Sequence, residues 1–413
     1  MKRERPSVSV QDAQSIILDS ITPLGPEMIS TFDAYNRVLF RDIIADIMIP
    51  PVDDSAMDGY AVIADDTIGA SKNIPVRLRV TGEVQAGASA AGKQVIKGTA
   101  IRIMTGAPVP QGADSVIRVE DTEEEAGYVK IFCETVKYKN YRQAGENIKK
   151  GDKVLSRGCR LTSANLGFLA SLNRIEVEVY KQPTVSIIST GDELADIGEE
   201  MQTGQIRNVN AHTLYAELKR YSALPEYSGI ARDTFEETRD KFLKALKSDV
   251  VISTGGVSMG KYDFVKEIFS SLDIEIKFER VNVKPGGPCI FGKKDNKLVF
   301  GLPGNPVSTL TSFIQFVRPA LLRLMGADKL HKPMINAFLE EEIQKKNGKV
   351  NLLRGYFTIK DNEIYVSTTG SQKTSVLGSM SGANCLIIVP EDITEVKSGE
   401  KVLIQLIDHS ETW

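Results

Sequence analysis

The stretch best equipped for chemistry is Asp249-Val-Val-Ile-Ser-Thr-Gly-Gly-Val-Ser-Met-Gly-Lys-Tyr-Asp263. An apolar run, Val250 to Ile252, breaks into a loop of Ser, Thr and Gly. Phe264, Val265, Ile268, Phe269 and Leu272 then recur with helical spacing. A loop where a strand hands over to a helix offers free backbone N–H groups and a favourable dipole to an anion. Lys261 adds a cation and Asp263 a carboxylate, so phosphate and a divalent metal can both be held. The stretch therefore reads as a nucleotide or phosphoester site. Gly255, Gly260 and Lys261 approach a Walker A motif, but Tyr262 stands where Ser or Thr would hold magnesium, which argues against a true P-loop.

Four further sites carry oxygen ligands or cations, the fourth made of two turns, 283–288 and 301–306. Asp53, Asp54 and Asp58 fall within the loop 50–60, beside Gly59. They can serve a metal or acid–base chemistry, or merely cap local backbone groups. Thr105 and Gly106 end an apolar strand that embeds Arg102, which reads first as a plain strand and turn. Asp192 and Glu193 follow another strand, as metal ligands or as stabilisers of a helix start. Lys284, before Pro285-Gly-Gly-Pro288, can bind an anion or be a solvated lysine. The turn Gly304-Asn-Pro306 is a helix cap first and an anion cradle second.

Elements must bring these loops together. Residues 9–20 read as an amphipathic helix capped by Ser9. Residues 42–145 are short alternating runs punctuated by Gly and Pro, a β-rich insert. From about Gln182 to Ala327 strand, loop and helix alternate, which implies a doubly wound, mostly parallel sheet. Ligands of such sheets sit beyond the carboxyl ends of the strands, so the Gly191, Gly255 and Gly304 loops should converge. Residues 332–413 are β-like again, with a hairpin over 359–366.

Composition narrows the function. A chain of 413 residues suggests two to four domains. Its 51 basic and 54 acidic residues balance, which disfavours nucleic acid as the main partner. The four cysteines, Cys133, Cys159, Cys289 and Cys385, lie far apart and read as reduced cytoplasmic thiols. With three histidines, a His-rich metal site or a Ser–His–Asp triad is not expected. No apolar run suggests a signal peptide or a membrane span.

Segments 50–61, 102–108, 145–148, 189–194, 204–210, 254–263, 284–288 and 301–308 together resemble one family. It is the molybdopterin molybdenumtransferases, the MoeA family, related to the C-terminal domain of gephyrin. Ser55-Ala-Met-Asp-Gly-Tyr60 and Gly301-Leu-Pro-Gly-Asn-Pro306 are the specific segments. The resemblance implies the final step of molybdenum cofactor synthesis. Adenylylated molybdopterin and molybdate bind, the phosphoanhydride is hydrolysed with Mg2+ or another divalent metal, AMP leaves, and molybdenum enters the dithiolene.

By motif position the resemblance puts catalytic roles on Asp58, Thr105, Glu193, Asp233 and Asp263, with Asp58, Glu193 and Asp263 as metal ligands. It places substrate binding on Arg142, Thr190, Gly255, Gly256, Ser258 and Lys284, and on Pro303, Gly304, Asn305 and Ser375. The chain departs from the family pattern at Asn147, where relatives often carry Asp, at Gly287, where a second lysine is common, and at Arg280, where another lysine stands.

The implied fold is α/β and multidomain. A helix over 1–24 packs on the central α/β domain, 179–327. A small linking domain comprises 25–45 and 146–178. A β-rich insert covers 46–145, and a C-terminal β-barrel covers 328–413. The implied assembly is a homodimer, its cleft between the insert of one subunit and the last two domains of the other. Implied partners are the pterin substrate and, transiently, molybdopterin adenylyltransferase and apo-molybdoenzymes, with no nucleic acid and no membrane. Two alternatives stand beside this reading: a molybdopterin adenylyltransferase, which shares the α/β domain, and a non-catalytic molybdopterin-binding scaffold.

Overall fold

The computed structural model describes residues 7–256, 265–346 and 348–407. They fall into two compact units, one drawn from residues 1–41, 158–166 and 176–413, the other from 42–157 and 167–175. The segments 25–45 and 146–178 divide between the two.

The larger unit is built on a six-stranded sheet. Its order is Leu224–Ala231, Thr184–Thr190, Val250–Thr254, Lys297–Leu302, Ile290–Lys294 and Glu275–Phe278. The first four strands run parallel and only Ile290–Lys294 runs against its two neighbours, so the sheet is mostly parallel, as the alternating pattern predicts. Val250–Thr254 is buried throughout because both its faces are covered. Successive side chains point to opposite faces. Ile187, Ile252 and Phe300 pack against Leu214, Leu218 and Phe313 on one face. Ile188, Val251 and Val299 pack against Phe242, Ile268 and Phe269 on the other. Each such fully buried Val or Ile contributes about 1.5–3 kcal/mol. The outermost strand, Leu224–Ala231, carries Pro225, and its pairing with Thr184–Thr190 shifts register between Ile187 and Ser189.

Helix Val10–Asp19 matches the expected N-terminal helix. Ser9 Oγ accepts from the Asp12 amide at 3.0 Å, and Ala13 and Ile17 enter the core. Asn208 caps Val209–Arg220, its side chain accepting from the Ala211 amide. At Asn305 the cap side chain makes no bond to the helix, although Pro306 does open it.

A barrel completes this unit. Strands Val350–Lys360, Glu363–Thr368, Met334–Leu339, Lys401–Leu406 and Cys385–Val389 pair in turn, and the last closes on the first. Ala337, Phe357, Val366, Ile387 and Ile404 fill it. The expected hairpin turns at Asp361 and Asn362, whose φ of 50° and 65° are those of a two-residue primed turn. The two-residue strand Val283–Lys284 adds to this barrel, parallel to Val350–Asn351, and not to the α/β sheet.

The smaller unit holds the β-rich insert. Its six strands run Ser115–Arg118, Gly59–Val62, Thr99–Ile103, Val76–Val84, Tyr128–Ile131 and Thr122–Glu125, antiparallel except for the third and fourth. Two small cores flank it, one around Tyr60, Leu78 and Ile117, the other around Val84, Ile101 and Val116.

Candidate active site

In the larger unit the three glycine loops do converge. Thr190 Oγ1 donates to the Thr254 carbonyl at 3.1 Å, and the Gly255 amide donates to Leu302 O at 3.0 Å. Gly255 has φ +90°, and a Cβ there would lie 2.7 Å from Thr190 O, so only glycine permits this approach. A Cβ on Gly304 would sit 3.5 Å from Gly255 Cα. Asn210 Nδ2 holds the Gly304 carbonyl at 2.8 Å. The cause is topological: parallel neighbours end together, so their following loops meet.

A cavity of about 370 Å³ opens beside these loops, lined by Gly256, Pro303, Gly304, Asn305, Lys284 and Lys349 among others. A second, of about 570 Å³, shares Lys284 and Thr374 with it and adds Arg354, Asn351, Lys345 and Lys346. Arg354 is 1% exposed. Its Nε donates to Ser379 Oγ at 3.1 Å, and its terminal nitrogen to the Ser371 and Lys373 carbonyls at 3.1 and 3.2 Å. Among the described residues no carboxylate forms an ion pair with it. Burial pulls its pKa below the usual arginine value. A fixed buried cation with only neutral partners, beside the lysines that line the same cavity, suits a small oxyanion or a phosphate group.

Carboxylates gather at the neighbouring strand ends. Glu193 folds its carboxylate over Gly191, whose amide donates to Ala231 O at 3.1 Å. The Asp233 amide donates to Asp192 Oδ1 at 3.2 Å. Burial raises the Asp233 carboxyl above its ordinary value, and the charge of Asp192 adds to that. A backbone hydrogen bond from Asp192 and the Arg232 charge act against it. The loop after Glu193 is anchored at Asp196, which accepts from Tyr227 Oη at 2.8 Å and from Asn208 Nδ2 at 2.9 Å. Asp263 and Ser258 lie outside the described residues.

In the smaller unit Asp58 and Thr105 meet. Asp58 Oδ1 accepts from the Thr105 amide at 2.7 Å and from its hydroxyl at 2.8 Å. Those bonds, with a smaller contribution from Arg102, hold the Asp58 carboxyl below its usual pKa despite some desolvation. Gly59 is required here, because a Cβ would run into the Ile117 carbonyl oxygen.

The other two aspartates of the loop turn out to be structural. Asp53 accepts from Tyr141 Oη at 2.6 Å and from the Ala144 amide at 2.7 Å. Asp54 pairs with Arg142 at 2.6 Å, and Arg142 also reaches Ser55 O at 3.3 Å. Arg142 thus spends part of its donor capacity on the loop itself.

Sequence reading missed Lys349, Arg354 and Thr374. Lys349 looks like any loop lysine, and Arg354 interrupts an apolar run without a motif around it. Ser375 is exposed, and its neighbour Thr374 is the residue that lines both cavities.

Comparison with known proteins accounts for nearly every segment. Residues 8–173 match the MoeA N-terminal region (domain I and II), 186–323 a probable molybdopterin binding domain, and 336–407 the MoeA C-terminal region (domain IV). The molybdopterin molybdenumtransferase of Haemophilus influenzae is 36% identical over 408 residues, covering 97% of this chain and 99% of its own. That of Bacillus subtilis is 33% identical and covers 92% and 90%. The crystal structure of the molybdopterin biosynthesis MoeA protein from Pyrococcus horikoshii OT3 superposes with a TM-score of 0.83 at 30% identity, over 97% of this chain and all of that one. Its sequence relatives and its fold agree from end to end: the chain belongs to the molybdopterin molybdenumtransferase family.

Proposed function

We propose that this enzyme, a transferase of molybdenum cofactor biosynthesis, inserts molybdenum into adenylylated molybdopterin and releases AMP. One observation carries the reading. The two cavities that share Lys284 line up a glycine-walled pocket and a pocket walled by buried Arg354. Two anionic substrates need two adjoining anion-holding pockets, and lysine and arginine charge attracts and retains both. Glu193 and Asp233 stand at strand ends beside the glycine loops, where they can orient water against the phosphoanhydride. The raised Asp233 carboxyl suits a proton carrier.

The oxygen-only donor set fits a hard divalent cation such as magnesium. Asp58, Glu193 and Asp263 are each proposed as metal-ligating carboxylates. Asp58 keeps Oδ2 free of the Thr105 bonds. Among the described residues no three His, Cys, Asp or Glu gather into a metal cluster. When bound, the ion would neutralise phosphate oxygens.

We infer a homodimer. Met28, Phe32 and Tyr35 are 58%, 96% and 58% exposed on one short stretch, an apolar face that association would cover. Transient contact with molybdopterin adenylyltransferase and with apo-molybdoenzymes fits an enzyme that receives one labile pterin and hands on another. Four unpaired cysteines agree with the cytoplasm. No described helix is long and apolar enough to cross a membrane.

The test is AMP release from adenylylated molybdopterin. Release that requires molybdate supports the proposal. Consumption of ATP with formation of the adenylylated pterin indicates an adenylyltransferase instead, and pterin binding without either reaction indicates a scaffold.

A further inference from the structure

We propose that Lys349, on the loop entering the barrel, is a second anion-holding cation of the smaller cavity and shares one oxyanion with Lys284. The proposal rests on the reading of that cavity as an anion pocket and goes beyond it in naming the barrel as the source of half its charge.

Three observations carry it. Lys349 and Lys284 both line the 370 Å³ cavity. Among the described residues neither ammonium forms an ion pair, so both charges are available to a ligand. The strand register brings the two chain segments together: Val283 pairs with Val350 and Lys284 with Asn351, so the loop end at residue 349 abuts the strand that carries Lys284.

The third observation concerns Gly287, which also lines the cavity. A Cβ at Gly287 would lie 2.9 Å from Val283 O and 3.2 Å from Val281 O, both backbone atoms. The turn cannot relax easily, because Gly287 O accepts from the Val281 and Cys289 amides at 2.9 Å each. Position 287 therefore cannot carry a side chain in this backbone. The space such a side chain would enter holds Lys349 Nζ, 3.9 Å from the Cβ position. The loop 281–288 supplies Lys284 alone, and the barrel supplies the second cation over the bare glycine.

A tetrahedral oxyanion and a phosphate monoester present the same chemistry to two ammonium groups. The test uses both: calorimetric titration of the full-length protein with sodium molybdate and, separately, with AMP, at low salt. Lys349→Ala should weaken at least one probe about fivefold, the scale of one solvent-facing charge contact. Lys349→Arg should stay within about twofold, and the loss in Lys349→Ala should shrink as salt rises. Combined with Lys284→Ala, the loss should fall short of the product of the single losses, because both lysines hold one anion. The probe affected names the source: molybdate the free oxyanion, AMP the nucleotide phosphate. If Lys284→Ala weakens binding and Lys349→Ala leaves both probes unchanged, the pairing is wrong while the pocket reading survives. If the unmodified protein binds neither probe, the pocket reading fails and the pairing with it.

Discussion

At the scale of single residues, the carboxylates divide by what they already touch. Asp53 and Asp54 are consumed by Tyr141, Ala144 and Arg142, whereas Glu193 and Asp58 keep oxygen atoms for chemistry. Glu193→Gln and Asp263→Asn should each lose most molybdate-dependent AMP release while melting like the parent. A catalytic carboxylate typically contributes several kcal/mol of charge stabilisation. Near-normal turnover in either folded variant removes that residue from the mechanism.

Asp58 offers a titration test. Its folded pKa is depressed by Thr105, so its contribution to stability is present above the unfolded value, about 3.9, and is lost as pH falls through the folded one. Thr105→Val deletes the hydroxyl donor and keeps the amide. The Asp58 carboxyl resonance should then titrate at higher pH, toward the unfolded value. An unmoved midpoint would mean that the hydroxyl bond does not form in solution.

At the scale of elements, Gly59 shows how tightly the insert is built. Gly59→Ala drives a methyl into Ile117 O across a strand pair that cannot separate without breaking its ladder. A loss of about 2 kcal/mol or more is expected in denaturant unfolding, the range of strained or overpacked sites. Parent-like stability would show that the strands part freely.

The same scale explains what could be read in advance. Strand–loop–helix alternation over 182–327 and the cap at Ser9 announce themselves, because hydrophobic period and capping chemistry are local. The convergence of the Gly191, Gly255 and Gly304 loops follows from parallel topology alone. The attachment of Val283–Lys284 to the barrel could not be foreseen, since two residues carry no period and their partner strand lies some way down the chain. Arg354 and Lys349 escaped for a related reason. Their roles are set by tertiary neighbours, and a lone cation carries no motif.

At the scale of the whole molecule, the exposed Met28–Tyr35 face bears on assembly. Phe32→Asp puts a charge at the centre of that face. If the proposed dimer forms through it, sedimentation should give about half the parent's mass, with the fold intact by circular dichroism. An unchanged mass would place the contact elsewhere. If sites are built from both subunits, the monomeric variant should also lose activity.

The outermost strand of the α/β sheet has a bearing on solubility. An open sheet edge is a template on which another chain can add a strand. Leu224 directs its amide inward, to Pro183 O, so the next residue along faces outward, and that residue is Pro225, which has no N–H to offer. Gly229, at φ +82°, and the register shift bend the same strand away from a flat template. The barrel solves the problem by closure; this edge solves it by being chemically blunt. Pro225→Val would restore a donor and a β-former at once. On warming, it should cloud at lower protein concentration than the parent, even where its melting temperature is unchanged.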